Sequence, residues 1–103
     1  MRGSSAAPPL IREALYSDSS NLFSESGLDL DQNSIWEDLG DIEFSGEVAV
    51  ENFNKIKTFV KDVLASDQKL VSLGGDHSVS WPIIDAHLDI WDALDILHID
   101  AHP

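Results

Sequence analysis

Cysteine is absent from this chain, so disulfides, thiolate metal ligands and thiol nucleophiles play no part in its fold or chemistry. Basic residues are scarce: six Lys and Arg stand against 19 Asp and Glu, a formal charge of −13. That excess repels phosphate backbones and anionic bilayers, which speaks against nucleic-acid and membrane partners and suits a cationic ligand. There is no run of about 18 apolar residues able to span a bilayer. The opening MRGSSAAPPL also lacks the apolar stretch of a secretory signal, so the expectation is a soluble, cytoplasmic protein. Low-complexity tracts and repeats are missing too. With 43% apolar and 24% charged residues, the composition is that of an ordinary folded chain rather than a disordered one.

At 103 residues the core must be modest, because a domain of this size buries only about two thirds of its unfolded surface. Pro8 and Pro9 sit where the first turn of a helix accepts proline, so a short helix is predicted over Leu10 to Tyr16. Ser17 to Asn33 is rich in Ser, Asp and Asn, whose side chains compete for backbone hydrogen bonds, and is predicted as a surface loop. Ile35 to Phe44, built around Asp38-Leu39-Gly40-Asp41, is assigned to a short strand or extended segment. Asp29, Asp31, Glu37, Asp38 and Asp41 are read as a solvated acidic face rather than a site for cationic amines.

The clearest helix covers Val48 to Ala65. Phe53, Ile56, Phe59, Val60, Val63 and Leu64 recur three or four residues apart, with Glu51, Asn52, Lys55, Lys61 and Asp62 on the other side. Lys69 to Leu73 is a short apolar run ending in Gly74-Gly75, as in a buried parallel strand entering a tight turn. A helix from about Val79 to Trp91 is expected next, capped by Ser78 or Ser80, with Trp81 and Trp91 packing between helix and sheet. Leu94 to Ala101 reads as a second buried strand. Strand, helix and strand with short links form a right-handed crossover in an α/β sheet.

Two clusters could carry chemistry: Gly74-Gly75-Asp76-His77-Ser78 after the first predicted strand, and His98-Ile99-Asp100-Ala101-His102 at the end of the next. Loops at the carboxyl ends of parallel strands converge on one rim of the sheet, where ligands gather. The period of two in a strand puts Asp100 and His102 on one side of the chain, an oxygen and a nitrogen donor able to share divalent cations. The bland alternative, a polar turn with merely hydrogen-bonded histidines, is outweighed by the pairing of the two clusters. His98 lies deeper in the strand and is read as a core or supporting histidine. His87, in a helix, is read as partly exposed surface.

Leu73-Gly74-Gly75-Asp76-His77-Ser78 and Ile96-Leu97-His98-Ile99-Asp100-Ala101-His102-Pro103 resemble the first two metal motifs of the manganese-dependent ureohydrolases, the arginase and agmatinase family. Ala7-Pro8-Pro9 with Ile11-Arg12-Glu13 resembles that family's early helix, so the resemblance spans nearly the whole chain. It implies part of a parallel three-layer αβα sheet, of the type that lysine deacetylases share, incomplete at both ends. Residues 1–103 would be one partial domain. It implies two Mn2+ ions, His77 on one, His102 on the other, Asp100 bridging them and Asp76 supporting from behind. The family's proton-transfer and substrate residues lie beyond Pro103, so none is assigned here, and Met1 is read as an internal methionine.

In the complete enzymes of that family the resemblance implies a metal-activated hydroxide attacking a guanidinium carbon and releasing urea. The segment Gly75 to Pro82 looks most like agmatinase, which converts agmatine to putrescine and urea. Arginase, guanidinobutyrase and formimidoylglutamase are the alternatives. A small cationic guanidino substrate and a homo-oligomer, trimer or hexamer, are expected of the parent enzyme. This short chain alone is expected to be non-catalytic and to bind metal weakly.

Overall fold

A computed structural model describes residues 3–32, 35–44 and 48–101 of the chain. They belong to two compact units, Met1–Glu43 with Ser72–His77, and Phe44–Val71 with Ser78–Pro103. Among the described residues no helix is long and apolar enough to cross a membrane.

The first unit opens with a 3-10 turn, Ser4–Ala6, that runs into α1, Ala7–Leu15. Pro8 and Pro9 fall in the first turn of α1, where no intrahelical N–H is required of them. Arg12 is in its last turn, where a cation complements the exposed carbonyls. The helix ends at Leu15 with Tyr16 as its cap, and just beyond it the Ser17 hydroxyl and N–H both donate to the Ala14 carbonyl, at 2.9 and 3.3 Å, satisfying a carbonyl that the helix leaves open. None of α1 is fully buried, and Leu10 and Ile11 remain exposed.

The described part of the predicted loop, 17–32, is irregular as expected, and its side chains do what its composition demands. Asn21 Oδ1 accepts the Phe23 N–H at 3.1 Å, and Asp29 Oδ1 accepts the Asp31 N–H at 3.0 Å. Between them Ser24 to Leu28 turns back on itself: the Gly27 N–H reaches the Ser24 carbonyl, Ser24 and Leu28 pair, and Phe23 and Asp29 form one antiparallel bridge. Gly27 has φ +82°, a backbone conformation that a side chain would strain. Trp36 ties the next segment to this turn. Its indole N–H donates to the Leu30 carbonyl at 2.8 Å, and its ring stacks on Tyr16 with centroids 6.3 Å apart.

The second unit is built on α2, Ala49–Ala65, packed against α3, Ser80–Leu88. Ile56, Val60 and Leu64 are spaced four apart and buried, while Pro82 and Ala86 supply the facing surface from α3. The predicted apolar stripe is therefore the packing face, with Val48 serving as the cap rather than the first helical residue. Lys57 Nζ contacts Asp85 at 2.7 Å and Asp89 at 3.0 Å, and Lys61 Nζ contacts Asp89 at 2.8 Å. Two lysines four apart thus meet two aspartates four apart, flanking the apolar seam. At the end of α2 the Ser66 hydroxyl donates to the Val63 carbonyl at 2.7 Å, and Asp67 takes φ +59°.

Several expectations are corrected. The 3-10 turn His77–Val79 leads into α3, whose cap is Val79. Ser80 is already helical, so neither Ser78 nor Ser80 is the cap residue. The expected parallel strands at Lys69–Leu73 and Leu94–Ala101 do not form among the described residues, and of the two readings of Ile35–Phe44, a short strand or an extended segment, the strand is not seen. A strand exists only through its neighbours' hydrogen bonds, and these segments run without a ladder. Val71, Leu97 and Ile99 are accordingly 88%, 87% and 88% exposed, the opposite of a buried sheet. Without that sheet, Trp81 and Trp91 are also exposed instead of sandwiched.

Candidate metal centre

Gly75 belongs to the first unit and lies against the amino-terminal turn. A Cβ added there would stand 3.2 Å from the Ser5 amide nitrogen, 3.3 Å from the Ser4 carbonyl carbon and 3.3 Å from the Ser4 hydroxyl oxygen. Two of these three are backbone atoms, so a larger residue obliges the turn to give by a few tenths of an ångström, and glycine is favoured here by close approach rather than by an unusual φ. Asp76 and His77 follow at once, both exposed, with His77 opening the short 3-10 turn.

His98 and Asp100 sit in the second unit on an extended stretch whose alternation puts them on one side. His98 Nε2 is 3.4 Å from Asp100 Oδ2, with the His98 side chain 58% exposed. Of the two readings of His98, a core or a supporting histidine, the core one is corrected: with no sheet over it, His98 is exposed beside Asp100. An imidazole nitrogen and a carboxylate oxygen are the donors that borderline divalent first-row cations accept, so this pair fits the implied manganese by donor chemistry. The remaining predicted ligand, His102, lies outside the described residues. Asp76 and His77 belong to the first unit and Asp100 to the second.

The acidic residues around position 40 are not simply a solvated face. Arg12 Nε donates to Asp38 Oδ2 at 2.6 Å, its Nη2 to Asp38 Oδ1 at 3.2 Å, and its Nη1 to both Asp41 oxygens at 3.1 and 3.2 Å. Asp38 Oδ1 also accepts the N–H of Gly40, at 2.9 Å. The guanidinium first and the Gly40 amide second hold the Asp38 carboxyl below its ordinary pKa, while the hydrogen bonds to Asp38 and then Asp41 hold Arg12 in its charged form. A signal for this clamp was present in the sequence: Arg12 is the one cationic residue between Arg2 and Lys55, a stretch dense in acids.

His87 matches its surface reading in exposure but has definite partners. Its Nδ1 lies 2.7 Å from the Ile83 carbonyl one turn back, and its ring stacks on Trp91 at 5.5 Å. It therefore serves the end of α3.

A model of the arginase family matches residues 1–103. A mitochondrial arginase 1 of Oryza sativa subsp. japonica is 36% identical over 110 residues, covering 100% of this chain and 32% of the relative. A mitochondrial arginase of Medicago truncatula is 41% identical over 108 residues, 98% of this chain and 32% of the relative. An agmatinase of Bacillus cereus is 38% identical over 65 residues, 63% of this chain and 22% of the relative. The chain thus spans about a third of the length of the plant arginases it matches. No solved structure matches it significantly. The cytoplasmic expectation is overturned, because the rice and Medicago relatives are mitochondrial arginases. An apolar signal marks secretion alone, whereas organellar leaders are amphipathic, so its absence from Met1 to Leu10 does not select the cytosol.

Proposed function

The chain belongs to the arginase family, and from that premise we propose that it forms part of a ureohydrolase domain that cleaves a C–N bond of a linear guanidino compound. The observation that carries this reading is the pairing of Gly75-Asp76-His77-Ser78 with Asp100-Ala101-His102 inside a match that runs the length of the chain. Family membership implies an α/β fold, and the finer reading is a parallel αβα sheet in which 69–73 and 94–101 become strands once flanked by neighbours. Their high exposure supports that reading, since apolar residues such as Leu97 and Ile99 are suited to a covered sheet.

In this proposal His77 and His102 each hold one divalent cation, Asp100 is shared between the two, and Asp76 supports His77. Divalent cations, when bound, lower the pKa of water and offset charge that develops during hydrolysis. The chain's own contribution is to orient donors. Gly75 lets the segment bearing His77 rest on the Ser4–Ser5 backbone, and the extended stretch before Ala101 presents Asp100. The formal charge of −13 favours a cationic guanidinium over an anionic substrate.

Arginine is the first substrate to test, because similarity to arginases extends over nearly all of this chain while that to the agmatinase covers 63% of it. Agmatine, suggested by the segment Gly75 to Pro82, is the second. The 103 residues alone are proposed to be non-catalytic, being about a third of the relatives' length, and the complete protein to assemble as a homo-oligomer. A chimera in which this chain replaces the matched segment of the Medicago arginase tests the reading. Urea release from arginine that is lost on His77→Ala or Asp100→Asn supports it. A folded chimera with undiminished release in both variants overturns it.

A further inference from the structure

The stretches 69–73 and 94–101 carry apolar side chains, yet among the described residues both run without a ladder. Val71, Leu73, Leu97 and Ile99 stand exposed on them. An unpaired, non-helical stretch leaves backbone N–H and C=O groups open to another chain, and exposed apolar side chains add to the gain from pairing. The formal charge of −13 works the other way, since two copies repel each other. A second copy can settle there only in a register that does not set acid against acid.

One register meets that condition. Side chains two apart on a strand share a face, which groups Lys69 with Val71 and Leu73, and Asp95 with Leu97 and Ile99. Laid parallel with Lys69 beside Asp95, the two segments set Val71 beside Leu97 and Leu73 beside Ile99. On the opposite face the same register brings Leu70 to Ile96 and Ser72 to His98, apolar with apolar and polar with polar. Antiparallel pairing over the same residues sets Lys69 against Ile99 and Leu73 against Asp95. A parallel slip by two residues sets Lys69 against Leu97. Lys69 is also the one Lys or Arg after Lys61, so it is the cation best placed to answer the acids of the last stretch.

We infer that residues 69–73 of one copy pair in parallel with residues 95–99 of a second copy, so that this chain self-associates through a short intermolecular sheet. The inference rests on the strand-forming character given to these segments above and adds the partner that supplies their hydrogen bonds. Two short strands alone pair weakly in water, so association depends on concentration and the single chain persists on dilution.

Sedimentation of the full chain at about 0.15 M ionic strength, where the Debye length is about 8 Å and repulsion between copies is screened, tests this. The mass should rise with concentration, and amide exchange at 70–73 and 96–99 should slow in step. Lys69→Glu and Asp95→Lys should each weaken association about fivefold or more, because each sets like charges opposite one another across the strands. Mixing the two variants should restore it, since each then offers the other an opposite charge at either contact. Leu97→Ser, at a side chain 87% exposed in the single chain, should weaken association while the helical circular dichroism of α2 and α3 is unchanged. A chain that stays monomeric at every concentration overturns the inference. So does association that both charge reversals leave unaltered, or that mixing fails to restore. Either result leaves the ureohydrolase reading standing, because that reading is judged by urea release from the chimera.

Discussion

Arg12 and Asp38 meet through two parallel contacts, Nε to Oδ2 at 2.6 Å and Nη2 to Oδ1 at 3.2 Å, so α1 is fastened side-on to a carboxylate 26 residues further along the chain. The planar fork of the guanidinium matches the planar carboxylate, a fit that an ammonium cannot reproduce. Arg12→Lys should therefore loosen the segment carrying Asp38 and Asp41 nearly as much as Arg12→Ala. The Trp36 indole N–H, which donates to the Leu30 carbonyl nearby in sequence, reports it: its NMR resonance should broaden or shift in both variants. An unchanged resonance in Arg12→Ala would show that the clamp does not order this segment.

The pH dependence of that clamp has a definite sign. Asp38 is held below its ordinary value of 3.8 by Arg12 and by the Gly40 amide, so its contribution is complete above that value. It is lost as pH falls below 3.8 through the lower folded-state pKa, where the unfolded chain binds the proton more readily. Titrating the Trp36 resonance from neutral pH downward should reveal an acid transition that Asp38→Asn removes. A transition of unchanged midpoint and amplitude in Asp38→Asn would contradict the assignment.

Two glycines with different reasons for being glycine give a paired prediction. At Gly40, φ is +76° and the space around a Cβ is empty, so Gly40→Ala should cost only the left-handed backbone penalty, about 1–2 kcal/mol. Gly75 is crowded by the Ser4 and Ser5 backbone instead, so Gly75→Ala must displace the turn itself. Amide hydrogen exchange should accelerate around Ser4–Ala6 in Gly75→Ala and stay unchanged there in Gly40→Ala. Equal protection of this turn in both variants would refute the distinction.

The helices and the turn-rich loop were legible because their causes are local. Prolines at the start of α1, four-residue apolar spacing in α2 and Asx side chains in 17–33 each act within a few residues. The expected strands rested on composition alone, since a strand is defined by hydrogen bonds to a neighbour, and 94–101 lacks these among the described residues. The same difference divides the candidate site. The spacing of His98 and Asp100 predicts their shared side, but the core position assigned to His98 presumed a sheet to cover it. Arg12, by contrast, was read only as part of a helix motif, because its partners are 26 and 29 residues away.

In the second unit the seam between α2 and α3 depends on few side chains. Ile56 is 8% exposed and packs with Val60 and Leu64 on a single face. Ile56→Ala removes three carbons from a small core with little else to fill the space, and should destabilise this unit by about 2–5 kcal/mol. Urea unfolding followed by helical circular dichroism measures it. A loss near zero would mean that this seam is not what holds the helices together.

Asp89 flanks that seam and responds to acid for its own reason. Lys61 first and Lys57 second hold its carboxyl below the ordinary 3.8, so its contribution is likewise present above that pH and lost below it. Because Asp38 and Asp89 belong to different units, their substitutions should act on different reporters. Asp89→Asn should remove the acid response of the resonances of α2 and α3 while the Trp36 transition stays in place, and Asp38→Asn should do the reverse. Since both contacts are solvent-accessible, added salt should weaken each response through screening. If Asp89→Asn shifts the Trp36 transition as strongly as Asp38→Asn does, the two units titrate as one and the separate assignments fail.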